Sequence, residues 1–300
     1  MEKVTLNGEL ELSRIIHGYW RLREWNIKGQ ELLKLIQQVV ELGITTFDHA
    51  DIYGNYSCET IFGEALSFKK ELRKNIQLVT KCGIKLLSDK YPQRKVKIYD
   101  YSFNHIVTSV ENSLRNFKTD YIDLLLLHRP SPYFDPQEVQ RAFAHLKQSG
   151  KVLHFGVSNF TPNQFEMLNN FWQEGLVTNQ VEISPLHLEH FKNGNMDFFL
   201  KEKLFPMVWS PVARGRVFNP VTEHEKQVNK AITEVAEEMN CTSPDTIVYS
   251  WLLKHPANVL PIIGSQKTER IKAAVDALNL NMTLEQWFKI YIAANGEELP

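Results

Sequence analysis

The sequence predicts an α/β protein, a single (β/α)8 TIM barrel over residues 1–300 with an N-terminal β-hairpin and extra C-terminal helices. Three observations carry this expectation. Short β-branched or apolar runs alternate with longer segments of helical period. Eight such runs begin at residues 14, 45, 76, 122, 152, 178, 206 and 258, and most starts lie roughly 30 residues apart, the length of one βα unit. Several runs, Leu124-Leu125-Leu126-Leu127 above all, are apolar along their whole length, as strands covered on both faces are. An open parallel sheet is the alternative architecture, but no GxGxxG follows the first run, which weakens its dinucleotide-binding form.

In chain order, Val4 to Leu12 with Asn7-Gly8 at its turn reads as a hairpin plugging one end of the barrel. The strands follow as Arg14–Trp20, Thr45–Ala50, Ile76–Gly83, Ile122–His128, Val152–Asn159, Thr178–Ile183, Pro206–Pro211 and Asn258–Gly264. Leu32, Leu33, Ile36, Val39 and Val40 form one apolar stripe ending at Gly43, so this segment is an amphipathic helix. Val139, Ala142, Phe143 and Leu146 repeat the pattern and end at Gly150. Thr161-Pro162 opens the next helix with a capping residue followed by proline in the first turn. Later helices are expected over Glu225–Met239, Ser243–Leu253, Thr268–Leu278 and Thr283–Ala293. Two excursions are long. Ile84–Phe103 carries Lys85, Lys90, Arg94, Lys95 and Lys97, and Arg214–Gln227 precedes an extra helix. Both follow a strand and so belong on the C-terminal face, where barrel enzymes keep their chemistry.

Composition narrows the function. The 300 residues are 43% hydrophobic and 23% charged, an ordinary globular balance. Lys and Arg number 34 against 35 Asp and Glu, for a net charge of −1, so no basic excess draws in nucleic acid or an anionic membrane. Cys58, Cys82 and Cys241 form no CxxC pair and are odd in number, which points to reduced thiols in a cytoplasmic protein. The N-terminus shows no basic segment followed by an apolar run, and no stretch reaches the ~20 apolar residues of a spanning helix. A chain this long buries a sufficient core as a monomer.

The strand ends carry the chemistry. Strand two gives Asp48, with Asp51 and Tyr53 just beyond; strand three gives Lys81; strand four gives His128. A phenol has a reference pKa of ~10, too high for ready proton donation at neutral pH, and a neighbouring ammonium lowers it by favouring the phenolate. Asp48 can hold Lys81 charged and oriented, while His128 can hydrogen-bond a substrate oxygen. The set Asp48, Tyr53, Lys81 and His128 therefore suits protonating an oxygen as its carbonyl carbon receives hydride. Read alone, each of these residues is more often structural or incidental; the set on three successive strands is what carries the reading.

These residues resemble the aldo-keto reductase family. Phe47-Asp48-His49-Ala50-Asp51-Ile52-Tyr53-Gly54 is similar to its F-D-x-A-x-x-Y-G element, Val79-Thr80-Lys81 to its strand-three lysine, and Leu127-His128-Arg129-Pro130 to its strand-four histidine. Gly156-Val157-Ser158-Asn159-Phe160 resembles its G-V-S-N-F element, and Gln180 its glutamine beside the nicotinamide. Pro261-Ile262-Ile263-Gly264-Ser265, followed by Arg270, resembles the closing strand and adenosine-side helix, so the match runs from about Arg14 to Leu280. The resemblance implies NADPH-dependent reduction of aldehydes or ketones, with Tyr53 as proton donor, Lys81 and Asp48 as its electrostatic support and His128 as orienting group. Members that reduce a carbon–carbon double bond carry a carboxylate where His128 stands, so carbonyl reduction is expected.

For NADP(H), the resemblance implies Ser158, Asn159 and Gln180 on the carboxamide and Trp209 stacked on the ring. The backbone around Ser210, Pro211, Ala213 and Gly215 would serve the pyrophosphate. Gly264, Ser265, Lys267 and Arg270 stand where a helix begins, and a helix N-terminus flanked by cations suits a 2′-phosphate. Many relatives carry lysine in place of Gly264 and asparagine in place of Ala274, which shifts that role toward Lys267 and Arg270. Ser158 and Asn159 could instead cap the following helix. Tyr19, Trp20, Tyr53, His128 and the excursions are expected to line a substrate pocket suited to apolar or aromatic carbonyl compounds, with the basic excursion either attracting an anion or simply solvated. No metal is expected. A metal-dependent hydrolase would use Asp48, His49, Asp51 and His128, but Lys81 among them opposes a cation. A cofactor-sensing subunit with little turnover is the non-enzyme alternative.

Overall fold

A computed structural model describes residues 3–299. The chain separates into two compact units, one ending at Asn179 and the other beginning at Gln180. Eight parallel strands form the fold: β1 (Ile16–Gly18), β2 (Thr46–Asp48), β3 (Gln77–Cys82), β4 (Ile122–Leu127), β5 (Val152–Ser158), β6 (Asn179–Glu182), β7 (Met207–Trp209) and β8 (Leu260–Ile263). Their order, β6-β7-β8-β1-β2-β3-β4-β5, is that of a closed barrel. Each lies inside a run expected from the sequence. No helix among the described residues is long and apolar enough to cross a membrane.

In the first unit a hairpin pairs Lys3–Leu6 with Leu10–Ser13. Asn7 and Gly8 take positive φ, 47° and 73°, as the central pair of a turn that Glu9 closes by donating its amide to the Leu6 carbonyl at 3.1 Å. Ser13 ties the hairpin to the start of β2: its Oγ accepts the amides of Thr45 at 3.2 Å and Thr46 at 3.1 Å. The hairpin thus belongs to the end where strands begin, opposite their C-terminal ends. Strand β4 is buried at every position. At Gly156 in β5 a β-carbon would press on Leu126 and on the carbonyl of Thr178, so glycine permits the close strand approach.

The helices follow the sequence pattern. Helix α1 (Gly29–Glu41) buries Leu32, Leu33, Leu35, Ile36 and Val39. Helix α2 (Cys58–Leu66) meets α3 (Phe103–Phe117) at Gly63, where a β-carbon would overlap the Asn116 carbonyl and the Phe117 backbone. Helix α4 (Pro136–Gln148) is capped by Asp135, whose carboxylate accepts from the Gln137 amide at 2.9 Å. Helix α5 (Pro162–Phe171) is closed by a reciprocal Thr161–Gln164 box. Thr161 supplies this cap, which leaves the Ser158 and Asn159 side chains other work.

Behind β1 and β2 lies a cluster of rings. His49 stacks on Tyr19 with centroids 4.8 Å apart and planes 9° apart, and meets Phe62 and Phe117 edge-on at 4.5 and 5.0 Å. Tyr19 is fully buried here. It therefore lines no open pocket, contrary to the expectation above: its ring turns into the apolar core, toward Phe47 and Phe62.

In the second unit β6 pairs with β7 (Gln180 beside Met207) and β7 with β8 (Met207 beside Leu260). Helices α6 (Asn195–Glu202), α7 (Glu223–Glu238), α8 (Pro244–Lys254), α9 (Thr268–Asp276) and α10 (Leu284–Asn295) complete it. Helix α7 starts two residues earlier than expected because Thr222 and Glu225 form a capping box. Helices α8 and α10 lock through Trp251 and Trp287, stacked at 5.4 Å, each indole N–H donating to the other residue's carbonyl at 3.2 and 3.0 Å.

Two measurements test this packing. Gly63→Ala should lower the free energy of urea unfolding by about 1–3 kcal/mol, the usual cost of overpacking; an unchanged midpoint would show that α2 and α3 part freely. His49 gives a pH signature. Burial first, then Lys81 and His17, hold its pKa well below 6.5. The unfolded ring takes a proton near 6.5 and the folded ring only far lower, so between these values the unfolded state binds more protons and stability falls with falling pH. In His49→Phe that contribution vanishes, so the stability difference should move in favour of the variant between pH 7 and about 5. A pH-independent difference would contradict the burial of a neutral imidazole.

Candidate active site

Parallel register sets Asp48, Lys81 and His128 at the C-terminal ends of three neighbouring strands. Asp48 closes β2 and pairs with Val79 of β3; Lys81 pairs with Leu126 of β4; His128 follows β4 directly. The Lys81 ammonium is 1% exposed. It donates to both carboxylate oxygens of Asp48 at 2.8 Å and to the His49 carbonyl at 2.7 Å, with the Tyr53 hydroxyl at 3.3 Å. The His128 ring stands edge-on to Tyr53 with centroids 5.9 Å apart. The four residues grouped by the sequence are thus brought together.

Electrostatics set the protonation states of Lys81, Tyr53 and His128. Burial pulls the Lys81 pKa down, but Asp48 and then Tyr53 push it up, and the net direction is upward. Lys81 therefore carries its charge at neutral pH. Burial likewise raises the Tyr53 pKa; Lys81 opposes this, but the net shift is still upward. The sequence argument expected the ammonium to lower it. The charges have the expected signs, but removal from water disfavours the phenolate more than one ammonium at this distance favours it, so Tyr53 keeps its proton at neutral pH. Burial, followed by Lys81 and Arg129, drives His128 well below 6.5, leaving a neutral imidazole whose Nδ1 has no hydrogen-bond partner among the described residues.

The turn carrying Tyr53 is strained. Gly54, Asn55 and Tyr56 take φ of 59°, 56° and 62° in succession, a conformation costing roughly 1–2 kcal/mol per ordinary L residue. At Gly54 a β-carbon would lie 2.6 Å from the Cys58 sulfur. The Gly54 carbonyl accepts from Ser57 Oγ at 2.6 Å and Arg23 at 3.1 Å. Asp51 donates its amide to the Lys81 carbonyl at 3.0 Å, and burial with Glu59 nearby raises its carboxyl pKa well above the ordinary value.

Two groups of residues were missed by the sequence. Glu59 on α2 is buried and accepts from Thr80 at 2.7 Å, Ser113 at 2.9 Å and Asn116 at 3.1 Å, bracing the strand beside Lys81. A carboxylate on the apolar face of α2, beside Phe62 and Gly63, was the available signal. The second group is Tyr56 with Arg94, which no local pattern links. Of the basic excursion, Lys85 is paired with Asp100 at 2.8 Å, Lys90 donates to the Tyr56 carbonyl at 2.8 Å and Arg94 to the Tyr56 hydroxyl at 2.7 Å. These three cations are engaged within the protein. The His49 ring, offered above as a metal ligand, points into the Tyr19 cluster.

The residues suggested for a cofactor fall in both units. In the first, Ser158 is buried at the end of β5, and Asn159, at φ 63°, donates to Ser158 Oγ at 2.7 Å and to the His128 carbonyl at 3.4 Å. In the second, Gln180 is buried and its amide approaches the Met207 sulfur at 3.9 Å. Trp209 ends β7 half-buried and Pro211 is buried. Ser210, Ala213, Arg214 and Gly215 all take positive φ, from 48° to 90°. Nothing lies within 4 Å of where a β-carbon would stand at Gly264 or Gly215. Ser265 Oγ accepts the Lys267 amide at 3.1 Å, and Lys267 and Arg270 are exposed where α9 begins. In the first unit the hydroxyl and amide groups of Ser158 and Asn159 have the chemistry to bond a carboxamide; in the second, the aromatic Trp209, the open backbone at Gly215 and Gly264 and the exposed Lys267 and Arg270 have the chemistry to take a ring and phosphates.

The aldo/keto reductase family model matches residues 14–294. An oxidoreductase of Bacillus subtilis (strain 168) is 48% identical over 300 residues, covering all of both chains. A 6-dehydroglucose reductase of Agrobacterium fabrum is 39% identical over the full length of both chains. The glycerol dehydrogenase structure of Gluconobacter oxydans superposes with a TM-score of 0.84 at 21% identity, covering 99% of this chain and 97% of that one, a likeness of fold. This chain belongs to the aldo/keto reductase family, whose oxidoreductases work with a nicotinamide cofactor on small carbonyl compounds.

Proposed function

We propose that the protein, acting as one barrel domain, reduces aldehyde or ketone carbonyls to alcohols with NADPH, Tyr53 giving the proton. The observation carrying this reading is the contact of the Tyr53 hydroxyl with a buried ammonium, Lys81, itself held by Asp48. The bound cofactor supplies the hydride. This chain's residues handle the proton. His128, neutral, hydrogen-bonds the carbonyl oxygen and orients it toward Tyr53. As that oxygen gains negative charge it becomes a far stronger base than the phenolate and takes the Tyr53 proton. Lys81 stabilises the phenolate left behind, and Asp48 keeps the ammonium aimed.

Ser158, Asn159 and Gln180 are proposed to hold the carboxamide, Trp209 the ring, and the backbone around Ser210, Pro211, Ala213 and Gly215 the pyrophosphate. Gly264 and Ser265 leave room at the start of α9, where Lys267 and Arg270 would meet a 2′-phosphate. Relatives named 6-dehydroglucose reductase, 39% and 38% identical, make a sugar aldehyde the first substrate to test.

An NADPH-oxidation screen across aldehydes, ketones, quinones and keto sugars tests the reaction; tight NADPH binding without turnover on any of them would favour a cofactor-sensing role instead. Tyr53→Phe should lower kcat by about 10²–10⁴-fold, the usual worth of a general acid, and leave NADPH affinity intact. Near-normal turnover would remove Tyr53 from the mechanism. NADPH should bind more tightly than NADH, and Arg270→Met should narrow the gap; equal affinities in the wild type would overturn the assignment of Lys267 and Arg270.

A further inference from the structure

The polypeptide leaving Tyr53 runs through three successive left-handed residues, Gly54, Asn55 and Tyr56. Single left-handed residues are ordinary, but a run of them is disfavoured because each β-carbon crowds the following carbonyl. Such a turn persists only where its surroundings hold it. Here much of the hold comes from the long excursion after β3. The Tyr56 phenol accepts from Arg94 Nη1 at 2.7 Å and from the Leu86 amide at 2.9 Å. Arg94 lies over the Tyr91 ring, 3.7 Å from its centroid, and donates to the Leu86 carbonyl at 3.3 Å. Tyr91 meets Tyr56 edge-on at 5.0 Å. The guanidinium thus joins two points of the excursion, the Tyr91 ring and the Leu86 carbonyl, to the one phenol that ends the strained turn.

We propose that Arg94 is a positioning residue for the reduction: by holding Tyr56 it keeps the left-handed turn closed and fixes the approach of the Tyr53 hydroxyl to Lys81 and the substrate carbonyl. The proposal rests on Tyr53 being the proton donor. Arg94 touches neither Lys81 nor Tyr53 in any hydrogen bond, so it acts through Tyr56. Lysine cannot fully replace it, because a point charge has no plane to lie on the Tyr91 ring.

The test compares Arg94→Ala, Tyr56→Phe and Tyr53→Phe with wild type, and uses Lys95→Ala, an exposed excursion residue, as control. Steady-state kinetics, NADPH affinity and the solvent deuterium isotope effect on kcat are measured. Arg94→Ala and Tyr56→Phe should lower kcat by about 10- to 100-fold, the scale of a small misplacement of a reacting group. KM and NADPH affinity should stay within about twofold, and the isotope effect should rise as proton delivery becomes limiting. Added guanidinium should restore part of the turnover of Arg94→Ala and none of that of Tyr56→Phe, which lacks the acceptor. Tyr56→Phe keeps the ring, so it decides the matter if Arg94→Ala does not fold. Turnover within about twofold of wild type in Tyr56→Phe, or a loss confined to KM or NADPH affinity, overturns the proposal. A dead Tyr53→Phe beside a normal Tyr56→Phe sinks this inference alone; an active Tyr53→Phe sinks the proton-donor reading and this inference with it.

Discussion

The burial of the Lys81 ammonium constrains everything around it. An ammonium taken out of water needs a carboxylate and full hydrogen bonding to persist as a cation. Asp48 supplies both oxygens and His49 its carbonyl, all within 2.8 Å. An ammonium has three hydrogens, and these three short contacts use them. Tyr53, at 3.3 Å, is left with the weakest of the four. Its coupling to Lys81 is chiefly through the field of the charge, which acts most strongly once the phenol has become a phenolate. In the proposed reaction this phenol would keep its proton at rest and be stabilised after giving it up.

Support for that pair extends outward in layers. The His49 carbonyl is fixed because its ring is wedged between Tyr19, Phe62 and Phe117. Neither ring nitrogen has a hydrogen-bond partner among the described residues, so the imidazole serves there as a flat apolar body. On the other side of β3, Glu59 gathers Thr80, Ser113 and Asn116 and ties α2 and α3 to the strand that presents Lys81. Both arrangements leave buried polar atoms or charge inside the protein, a stability cost borne next to Lys81 and Tyr53.

Tyr53 itself stands on a turn whose backbone its own residues disfavour. Short β-strand ends give rigid placement to Asp48 and Lys81, whereas Tyr53 lies five residues past β2 and depends on contacts from elsewhere. Arg23 and Ser57 hold the Gly54 carbonyl, and the excursion holds Tyr56. A long insertion after a strand, which loop-closure entropy tolerates easily, has become part of the positioning of a side chain one strand away.

Much of the fold could be read from the chain because its signals are local. Each strand falls within an expected run, since burial on both faces of a barrel strand demands uninterrupted apolar residues. Thr161-Pro162 marks a helix start because a cap and its helix are adjacent in sequence. Asp48, Lys81 and His128 were legible because parallel strands end at one face, so a polar residue closing an apolar run announces its place. What depends on distance through space was not legible. Tyr19 reads as a pocket residue but turns into the core, because the direction of a ring at a strand end is set by neighbours from other strands. The Tyr53 pKa moves up rather than down because its sign depends on how completely water is excluded, which no spacing encodes. Tyr56 and Arg94 are 38 residues apart, and Glu59 draws donors from two other elements. The sequence decided which elements form and which side chains stand at their ends; only the packed structure decided how dry the site is and what holds its strained turn, because those are sums over contacts between distant segments.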